Sequence, residues 1–309
     1  MSLLVTGSLG LDTIETPAGR RDNVIGGSAT YFAYGASFFT PVRLVGAVGE
    51  DWPTDMKTVY EGRPVDLEGL EVRKGSKSFR WHGSYLKDLN EAESVQTDLN
   101  ILAEAAPKIP DSYLDSEYVF LANTHPALQA DMLGKLKDVK LSVADTMNLW
   151  ITQFHDELRK TLGLIDGLVL NDGEAKLLTE KKNMVDAATD VLKMGPKFVV
   201  IKKGEHGCLM AWRNPDEKTP GENQLFVLPA YPTDKVVDPT GAGDTFASGM
   251  MGYLATQQSL SPATIKRALA FGTVTASYTI ADFSLDGLKA TSRDAIDGRY
   301  EKLKAAMSF

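Results

Sequence analysis

Short apolar runs recur along the chain, and longer segments separate them. Within each run the apolar residues are consecutive rather than alternating with polar ones, which is typical of strands covered on both faces. The segments between them are long enough for helices, so the pattern predicts an α/β fold with a mainly parallel sheet between helix layers and with ligands at the carboxyl ends of the strands. The predicted strands are Leu3–Thr6, Val42–Val48, Tyr118–Ala122, Lys140–Ala144, Gly167–Leu170 and Phe198–Lys202.

Two segments, at residues 11–27 and 72–88, interrupt this alternation. In the second one Phe79, Trp81 and Tyr85 stand at odd positions between polar residues, which is the pattern of a strand with two different faces. We predict that both segments form a small β lid that closes over a site. An ordinary edge hairpin packed on the core is the alternative.

The C-terminal third predicts two neighbouring helices. The first begins at the glycine-rich run 241–243 and carries apolar residues at helical spacing. The second begins at Ser261 and Pro262, which are a capping residue and a proline at the first helical position. The polar stretch Asn214–Asn223 is predicted to be a loop.

The composition fits one compact domain over residues 1–309. Hydrophobic residues make up 43% of the chain and charged residues 24%, which is close to globular averages. Cys208 is the single cysteine, so no intrachain disulfide can form, and a reducing compartment such as the cytoplasm is expected. The apolar start at Leu3–Val5 is too short for a membrane span, so no membrane partner is expected.

The charge balance excludes one class of partner. The formal net charge is −8, so the chain lacks the basic excess that binding to a nucleic acid backbone requires. Anionic phosphates would instead be bound locally by backbone N–H groups, a metal ion and a few lysines. The four histidines show no metal-ligand spacing. These features favour a small phosphate-containing ligand.

The clearest motif is the run from Asp238 to Asp244, Asp-Pro-Thr-Gly-Ala-Gly-Asp, which precedes a helix. Small residues there let several N–H groups converge on an anion at the positive end of the helix. A carboxylate at the same point suits a general base that takes a proton from an attacking hydroxyl. The alternative is an aspartate that only caps the helix.

The segment DPTGAGDTFASG resembles the C-terminal signature of the ribokinase family, also called the PfkB family of carbohydrate kinases. Other motifs follow in family order: GSLGLD, Gly26-Gly27, GAVGED at 46–51, Asn171-Asp-Gly-Glu174 and KKGEHG at 202–207. The resemblance implies a ribokinase-like three-layer α/β/α fold. It also implies an ATP-dependent kinase that phosphorylates a hydroxyl, expected to be a primary one, of a small sugar or nucleoside.

The resemblance assigns roles at the last motif. Asp244 would be the catalytic base, and the amides of Gly241, Ala242 and Gly243 would hold the transferring phosphoryl group.

Metal sites are also implied by the resemblance. Asn171 and Glu174 match a pair that organises Mg²⁺ and phosphate, with Glu174 acting through water. The same spacing is also that of a capping box, which stays open as the alternative. Asp238 and Thr240 match positions that help to bind K⁺ in some members.

For the nucleotide, the loop KKGEHG resembles the family loop that touches the ribose and phosphates. The expected contacts are Lys202, Gly204, Glu205 and Gly207, with Gly272 and Thr273 as candidates for the adenine wall.

For the acceptor, Ser8 and Asp12 follow the first strand, and Asp12 matches the family aspartate that accepts hydrogen bonds from substrate hydroxyls. Gly26 and Gly27 would allow close approach of the backbone to the sugar. Many relatives have asparagine where this chain has Tyr31, so recognition is expected to differ. Stacking of a base on the lid aromatics favours a nucleoside or another ribosyl compound.

Two further points stay open. Asp145 and Asn148 follow a predicted strand and could line the phosphate region, although a polar strand end is the simpler interpretation. The lid could pair two subunits, so both a monomer and a homodimer are compatible with the sequence.

Two alternative functions remain. One is a kinase-like ligand-binding protein without turnover, which the intact Asp244 disfavours. The other is a nucleotide-dependent oxidoreductase, which the missing Gly-x-Gly-x-x-Gly fingerprint disfavours.

Overall fold

The computed structural model describes residues 2–213 and 223–308, and within these ranges it has thirteen strands and eleven α-helices. The strands are β1 (Leu3–Thr6), β2 (Gly10–Thr16), β3 (Gly19–Gly26), β4 (Val42–Gly49), β5 (Val65–Arg73), β6 (Phe79–Ser84), β7 (Glu93–Asp98), β8 (Tyr118–Leu121), β9 (Leu141–Asp145), β10 (Gly167–Asn171), β11 (Phe198–Lys202), β12 (Cys208–Trp212) and β13 (Gln224–Leu228). The helices are α1 (Ser28–Ala36), α2 (Met56–Val59), α3 (Pro126–Lys135), α4 (Asn148–Gln153), α5 (His155–Leu162), α6 (Asp172–Thr179), α7 (Met184–Lys193), α8 (Ala242–Leu254), α9 (Pro262–Thr279), α10 (Asp286–Lys289) and α11 (Arg293–Ala306).

Nine of the described strands form one sheet in the order β13-β12-β11-β10-β9-β8-β1-β4-β5. The strands from β11 to β5 pair in parallel, and β12 and β13 add an antiparallel edge. All six predicted strands are confirmed within one or two residues. The strands β5, β12 and β13 were not predicted: β5 lacks a fully apolar run, whereas β12 and β13 were missed although both contain consecutive apolar residues.

The main sheet is buried on both faces, which confirms the three-layer α/β/α fold. In β1, Leu3 and Val5 point into a core shared with α1, α8 and α9, whereas Leu4 points into a second core shared with α5 and α7. Successive side chains of a strand alternate between faces, so consecutive apolar residues are needed to fill both cores.

The two predicted C-terminal helices are confirmed and pack closely. The Ser261 hydroxyl accepts the Thr264 N–H at 3.2 Å and caps α9, which begins at Pro262. Where the helices cross, a Cβ added at Gly249 would lie 2.7 Å from the Phe271 carbonyl oxygen. This close approach fixes the orientation of α8, whose first turn forms part of the site described below.

A second sheet of four described strands, in the order β3-β2-β6-β7, stands beside the main one. Strands β2 and β6 pair in parallel, and β3 and β7 pair antiparallel at the two edges. Strand β7 lies outside the two segments expected for the lid. A small apolar cluster of Ile14, Tyr85 and Phe283 joins this sheet to the loop after α9.

Two further observations concern the chain as a whole. The loop predicted at Asn214–Asn223 falls almost entirely outside the described residues. Among the described helices, none is long and apolar enough to cross a membrane.

Candidate active site

The carboxyl ends of three neighbouring parallel strands meet the start of α8. Strand β9 ends at Asp145, β10 at Asn171 and β11 at Lys202, and the sheet register pairs Asn171 with Lys202. Lys202 reaches the helix, since a Cβ atom added at Gly243 would lie 2.5 Å from its Nζ. The parallel sheet thus gathers side chains that are far apart in the sequence.

The turn before α8 presents main-chain N–H groups at the positive end of the helix. Gly241 has a φ of +74°, a left-handed conformation that glycine adopts without strain. The N–H groups of Gly241 and Gly243 have no acceptor within residues 2–213 and 223–308. The Ala242 N–H, in contrast, donates to the Pro239 carbonyl at 3.1 Å, so it is not available for the role expected from the sequence.

Asp244 lies in this first turn next to a second carboxyl group and an ammonium group. Burial raises the pKa of Asp244 to about 6, while Lys202 and a hydrogen bond with Asp145 oppose the rise. Burial and the charge of Asp244 hold the pKa of Asp145 well above its usual range. Ionisation of Asp244 therefore favours the protonated form of Asp145, and the Lys202 ammonium group favours the ionised form of both.

Asp145 contributes more to this arrangement than the sequence indicated. Its side chain is 6% exposed, and Oδ1 has no hydrogen-bond partner in the described part of the chain. The signal available in the sequence was a carboxylate at the end of an apolar strand. Asn148, predicted together with it, is instead the first residue of α4.

Asn171 and Glu174 form the capping box that was the alternative interpretation. The Glu174 N–H donates to Asn171 Oδ1, and the Asn171 N–H donates to Glu174 Oε2, both at 2.7 Å. Burial raises the pKa of Glu174, and Lys202 opposes this rise. Both roles are compatible, because the cap uses one carboxylate oxygen and holds the side chain beside Lys202.

The loop after β11 forms a tight turn that begins at Lys202. The Lys203 N–H donates to the Gly207 carbonyl at 2.7 Å, and both Gly204 (φ +51°) and Gly207 (φ +77°) are left-handed. Glu205 is exposed at the tip of the turn. The four residues expected at the nucleotide therefore lie on one turn, joined through Lys202 to the start of α8.

Residues expected at the acceptor cluster where β2, β3 and α1 meet. Gly26 has no room for a Cβ because the Asp12 carboxylate lies against it, and Asp12 is only 3% exposed. Gly27 has a φ of +94°, and a Cβ there would lie 2.6 Å from the Ser8 carbonyl oxygen. The Ser8 hydroxyl accepts the Ser28 N–H at 3.0 Å, so it also supports the start of α1.

The electrostatic environment of Asp12 differs from that of Asp244. Burial and the nearby charge of Asp238 raise the pKa of Asp12 to about 8, and a hydrogen bond from the Gly27 N–H partly opposes the rise. Asp12 Oδ1 has no partner among the described residues. A buried carboxyl group with an unused oxygen is suited to bind a polar group of a ligand.

Tyr31 lies beneath the turn before α8 rather than at an open surface. It is 1% exposed, and its ring occupies the space that a Cβ at Gly241 would need. Burial, together with the charges of Asp238 and Asp12, raises the pKa of the Tyr31 hydroxyl well above its usual range. The ring therefore supports the turn, and only the hydroxyl, which lacks a partner in the described ranges, is left for recognition.

Asp238 and Thr240 occupy the buried side of the same turn. Asp238 is 0% exposed, and its carboxylate accepts the N–H groups of Thr240 at 2.9 Å and Ser284 at 3.0 Å. Burial raises the pKa of Asp238 against these two hydrogen bonds. The Thr240 hydroxyl contacts the Tyr85 hydroxyl at 3.4 Å.

Two predicted contacts gain no support from their positions. A Cβ at Gly272 would lie 2.6 Å from the Phe246 carbonyl oxygen, so Gly272 lies in the α8–α9 interface, and Thr273 is 8% exposed. The packing of Gly272 on α8 explains this glycine without a nucleotide, and the adenine wall stays a prediction.

The lid aromatics are mostly used in packing. Tyr85 is 8% exposed and makes an edge-on contact with Trp81 in the lid cluster, and the Trp81 indole N–H donates to Ser94. Phe79 lies over Gly10, where a Cβ would meet its ring at 2.6 Å. Phe79 therefore packs on the first residue of β2, and Trp81 pairs with Asp12 in the register of β2 and β6.

The donors present fit a magnesium–nucleotide complex. Mg²⁺ prefers oxygen ligands and is usually held by one or two carboxylates, waters and substrate phosphates rather than by a complete protein cage. Asp145 Oδ1 is a buried oxygen without a partner, and Glu174 lies nearby. Within the described ranges no group of three or more potential ligands forms a cage, which agrees with this type of site.

Comparison with known proteins identifies relatives along most of the chain. The profile of the pfkB family carbohydrate kinase matches residues 15–287. A cytidine kinase of Thermococcus kodakarensis is 29% identical over 259 residues, covering 82% of this chain and 88% of its own. A 2-dehydro-3-deoxygluconokinase of Bacillus subtilis is 34% identical over 212 residues, covering 64% and 60%.

A solved structure confirms the fold. The nucleoside kinase of Burkholderia thailandensis in complex with inosine superposes with a TM-score of 0.73 at 19% identity. The match covers 98% of this chain and 99% of that one.

Proposed function

This chain belongs to the pfkB family of carbohydrate kinases and is a sugar or nucleoside kinase, and we propose that it transfers the γ-phosphoryl group of ATP to a primary hydroxyl of a nucleoside. The observation that carries the proposal is Asp244 in the first turn of α8, between two available main-chain N–H groups and Lys202. We propose one kinase domain over residues 1–309, with the lid inserted at 11–27 and 72–88.

Asp244 acts as the general base. Its carboxylate takes the proton from the acceptor hydroxyl while the hydroxyl oxygen forms the new bond to the γ-phosphorus and the bond from phosphorus to the leaving oxygen of ADP breaks. A pKa of about 6 leaves Asp244 mostly ionised at neutral pH, which this step requires. Asp145 donates a hydrogen bond that orients the Asp244 carboxylate.

The transferring phosphoryl group is stabilised by donors that surround its position. The N–H groups of Gly241 and Gly243, the positive end of α8 and the Lys202 ammonium group supply fixed positive charge where negative charge develops. The Ala242 N–H supports the turn through Pro239 instead. The net charge of −8 therefore does not prevent phosphate binding, because the donors are local.

Metal ions complete the site in this proposal. Glu174 and Asp145 would hold Mg²⁺, which would supply neutralisation of the phosphate charge when bound with ATP. Asn171 keeps Glu174 in place through the capping box. Asp238 and Thr240 are the candidates for K⁺, because a fully buried carboxylate is stabilised by a nearby cation.

The acceptor lies between the lid and the start of α8. Asp12 binds a hydroxyl, and Gly26 and Gly27 let the backbone pack closely against Asp12 and Ser8, which holds these two residues in place. The named activities of the cytidine kinase and of the inosine-bound nucleoside kinase support a nucleoside. Packing of Trp81 and Tyr85 in the lid leaves Phe79 as the candidate for stacking on the base.

The test is an ADP-release assay with ATP, Mg²⁺ and a panel of nucleosides, pentoses, hexoses and 2-keto-3-deoxy sugar acids. We expect release that requires a nucleoside and stops in Asp244→Asn. Release with only a sugar or a sugar acid would overturn the nucleoside assignment. No acceptor-dependent release with any compound of the panel would contradict the proposed reaction itself.

A further inference from the structure

A loop of the lid touches the turn proposed to bind the nucleotide. The loop joins β6 to β7, and Asn90 Oδ1 accepts the Glu205 N–H at 3.3 Å across 115 positions of sequence. Asn90 also fills the space beside Gly204, where an added Cβ would collide with Oδ1 and lie 2.8 Å from Cγ. The contact therefore consists of close packing on Gly204 as well as a hydrogen bond.

The hydrogen-bond pattern of the turn makes this contact distinctive. The N–H groups of Lys203, His206 and Gly207 all donate to carbonyl groups inside the turn, at 2.7, 2.9 and 3.1 Å. The Glu205 N–H instead donates outside it, to the lid. Orientation of the tip of the turn thus depends on a residue from the other sheet.

Asn90 is itself held in place on the lid. Its N–H donates to Asp88 Oδ1 at 2.8 Å, which fixes the local turn. Leu89 and Ala92, on either side, pack into the cluster that contains Ile14 of β2. Strand β2 also carries Asp12, so the loop is anchored to the sheet that forms the acceptor site.

We propose that Asn90 is a positioning residue for the nucleotide: it holds the Gly204–Glu205 turn in the conformation that receives the ribose and phosphates. The inference rests on the proposed nucleotide role of the turn and adds a lid residue to that site. The physical reason is that a preformed turn binds without first having to be ordered.

The experiment measures Mg²⁺–ADP binding by titration calorimetry and the unfolding midpoint of the ligand-free protein. For Asn90→Ala we expect the dissociation constant to rise about three- to tenfold, the effect of one hydrogen bond with its packing. Gly204→Ala displaces the same side chain and should have a similar effect. The double variant should be no weaker than the worse single one, because both changes remove one contact.

Matched controls separate this role from general damage. Gln96→Ala removes another exposed lid amide, whose one hydrogen-bond partner within residues 2–213 and 223–308 is Asp98. Gly62→Ala adds a Cβ at a φ of +70° with nothing within 4 Å, so it reproduces the backbone strain without the collision. Both controls should bind ADP as the parent protein does.

The outcomes are distinguishable. Weaker ADP binding in Asn90→Ala with an unchanged unfolding midpoint supports the proposal. A lowered midpoint with unchanged ADP binding overturns it and makes the contact purely structural. If the parent protein binds ADP and all variants bind it equally, only this inference fails; if the parent protein binds no ADP, the proposed nucleotide site fails with it.

Discussion

Two buried carboxyl groups of the site come from different elements, a helix of the main body and a strand of the second sheet, and their surroundings differ. Asp244, at the start of α8, faces Lys202 and has a pKa of about 6. Asp12, in the lid strand β2, has Asp238 as its charged neighbour and a pKa of about 8. At neutral pH Asp244 is mostly ionised and can accept a proton, whereas Asp12 is mostly protonated and can donate a hydrogen bond.

Depending on the charge beside it, an aspartate can therefore act either as a base or as a neutral hydrogen-bond donor. The Lys202 ammonium group next to Asp244 favours the ionised carboxylate, which can act as a base. The negative charge of Asp238 next to Asp12 favours the protonated, neutral carboxyl group. A neutral Asp12 also avoids adding negative charge beside a triphosphate. The following predictions test this contrast, from the largest expected effect to the smallest.

Loss of the base should have the largest effect. Asp244→Asn keeps the shape of the side chain but cannot take a proton, so kcat should fall about 10²–10⁴-fold. Steady-state ADP release measures kcat, and calorimetry with Mg²⁺–ADP should show nearly unchanged affinity. Asp131→Asn, on the exposed face of α3, is the control. A kcat equal to that of the parent protein would contradict the role of Asp244.

Removal of the Lys202 charge should bring the pKa of Asp244 closer to that of Asp12. Lys202→Met removes the charge that opposes the rise in the Asp244 pKa, and it also removes a phosphate donor. We expect kcat/KM at pH 7 to fall about 10²-fold and its acidic limb to move to higher pH. Lys203→Met, at the neighbouring position, should leave both unchanged. If the acidic limb of kcat/KM stays at the same pH as in the parent protein, Lys202 does not set the pKa of Asp244.

Removal of the lid carboxyl group should act on the acceptor alone. Asp12→Ala should raise KM for the acceptor about tenfold or more, since a buried hydrogen bond is lost, and leave KM for ATP unchanged. Initial-rate kinetics with each substrate varied in turn measures the two constants. Asp22→Ala, on an exposed part of the lid, serves as the control. Equal increases in both constants would refute an acceptor-specific role.

The pH profile of the parent protein should report Asp244. The folded pKa is raised from 3.8 to about 6, and the base works only when it is ionised. Activity should therefore rise with pH through about 6, and kcat/KM should fall about fivefold between pH 6 and pH 5. A flat profile down to pH 4.5 would mean that a group with an ordinary carboxyl pKa, or no base, limits the reaction.

The smallest effect concerns stability. The pKa of Asp12 rises from 3.8 to about 8 on folding, so its favourable contribution is complete below pH 4 and is lost as the pH rises towards 8. In the Asp12→Asn variant this side chain cannot ionise, so it causes no fall in stability as the pH rises. The parent protein should lose about 4 kcal/mol of stability between pH 5 and pH 8.5, so thermal unfolding should show the variant gaining about 6 °C on it across this range. A constant difference across this range would place the pKa of Asp12 near its ordinary value.

Prediction from the sequence succeeded where local pattern is decisive. The runs that became β1 and β11 and the starts of α8 and α9 depend on consecutive apolar residues, glycines and caps close together in the chain. Prediction was weaker where packing decides. Strand β5 alternates polar and apolar residues, and Gly272 is a glycine because α8 lies against it rather than because a nucleotide does.

The sequence by itself determined the α/β alternation, the family and the identity of Asp244 as the candidate base, because each is written in neighbouring residues. Only the tertiary structure decided that Asp145 and Lys202 stand beside Asp244, that Asp238 stands beside Asp12, and that Asn90 reaches the Gly204–Glu205 turn. These contacts join residues that are remote in the sequence. The pKa values that follow from them depend on burial and on distances across the fold, which local sequence does not set.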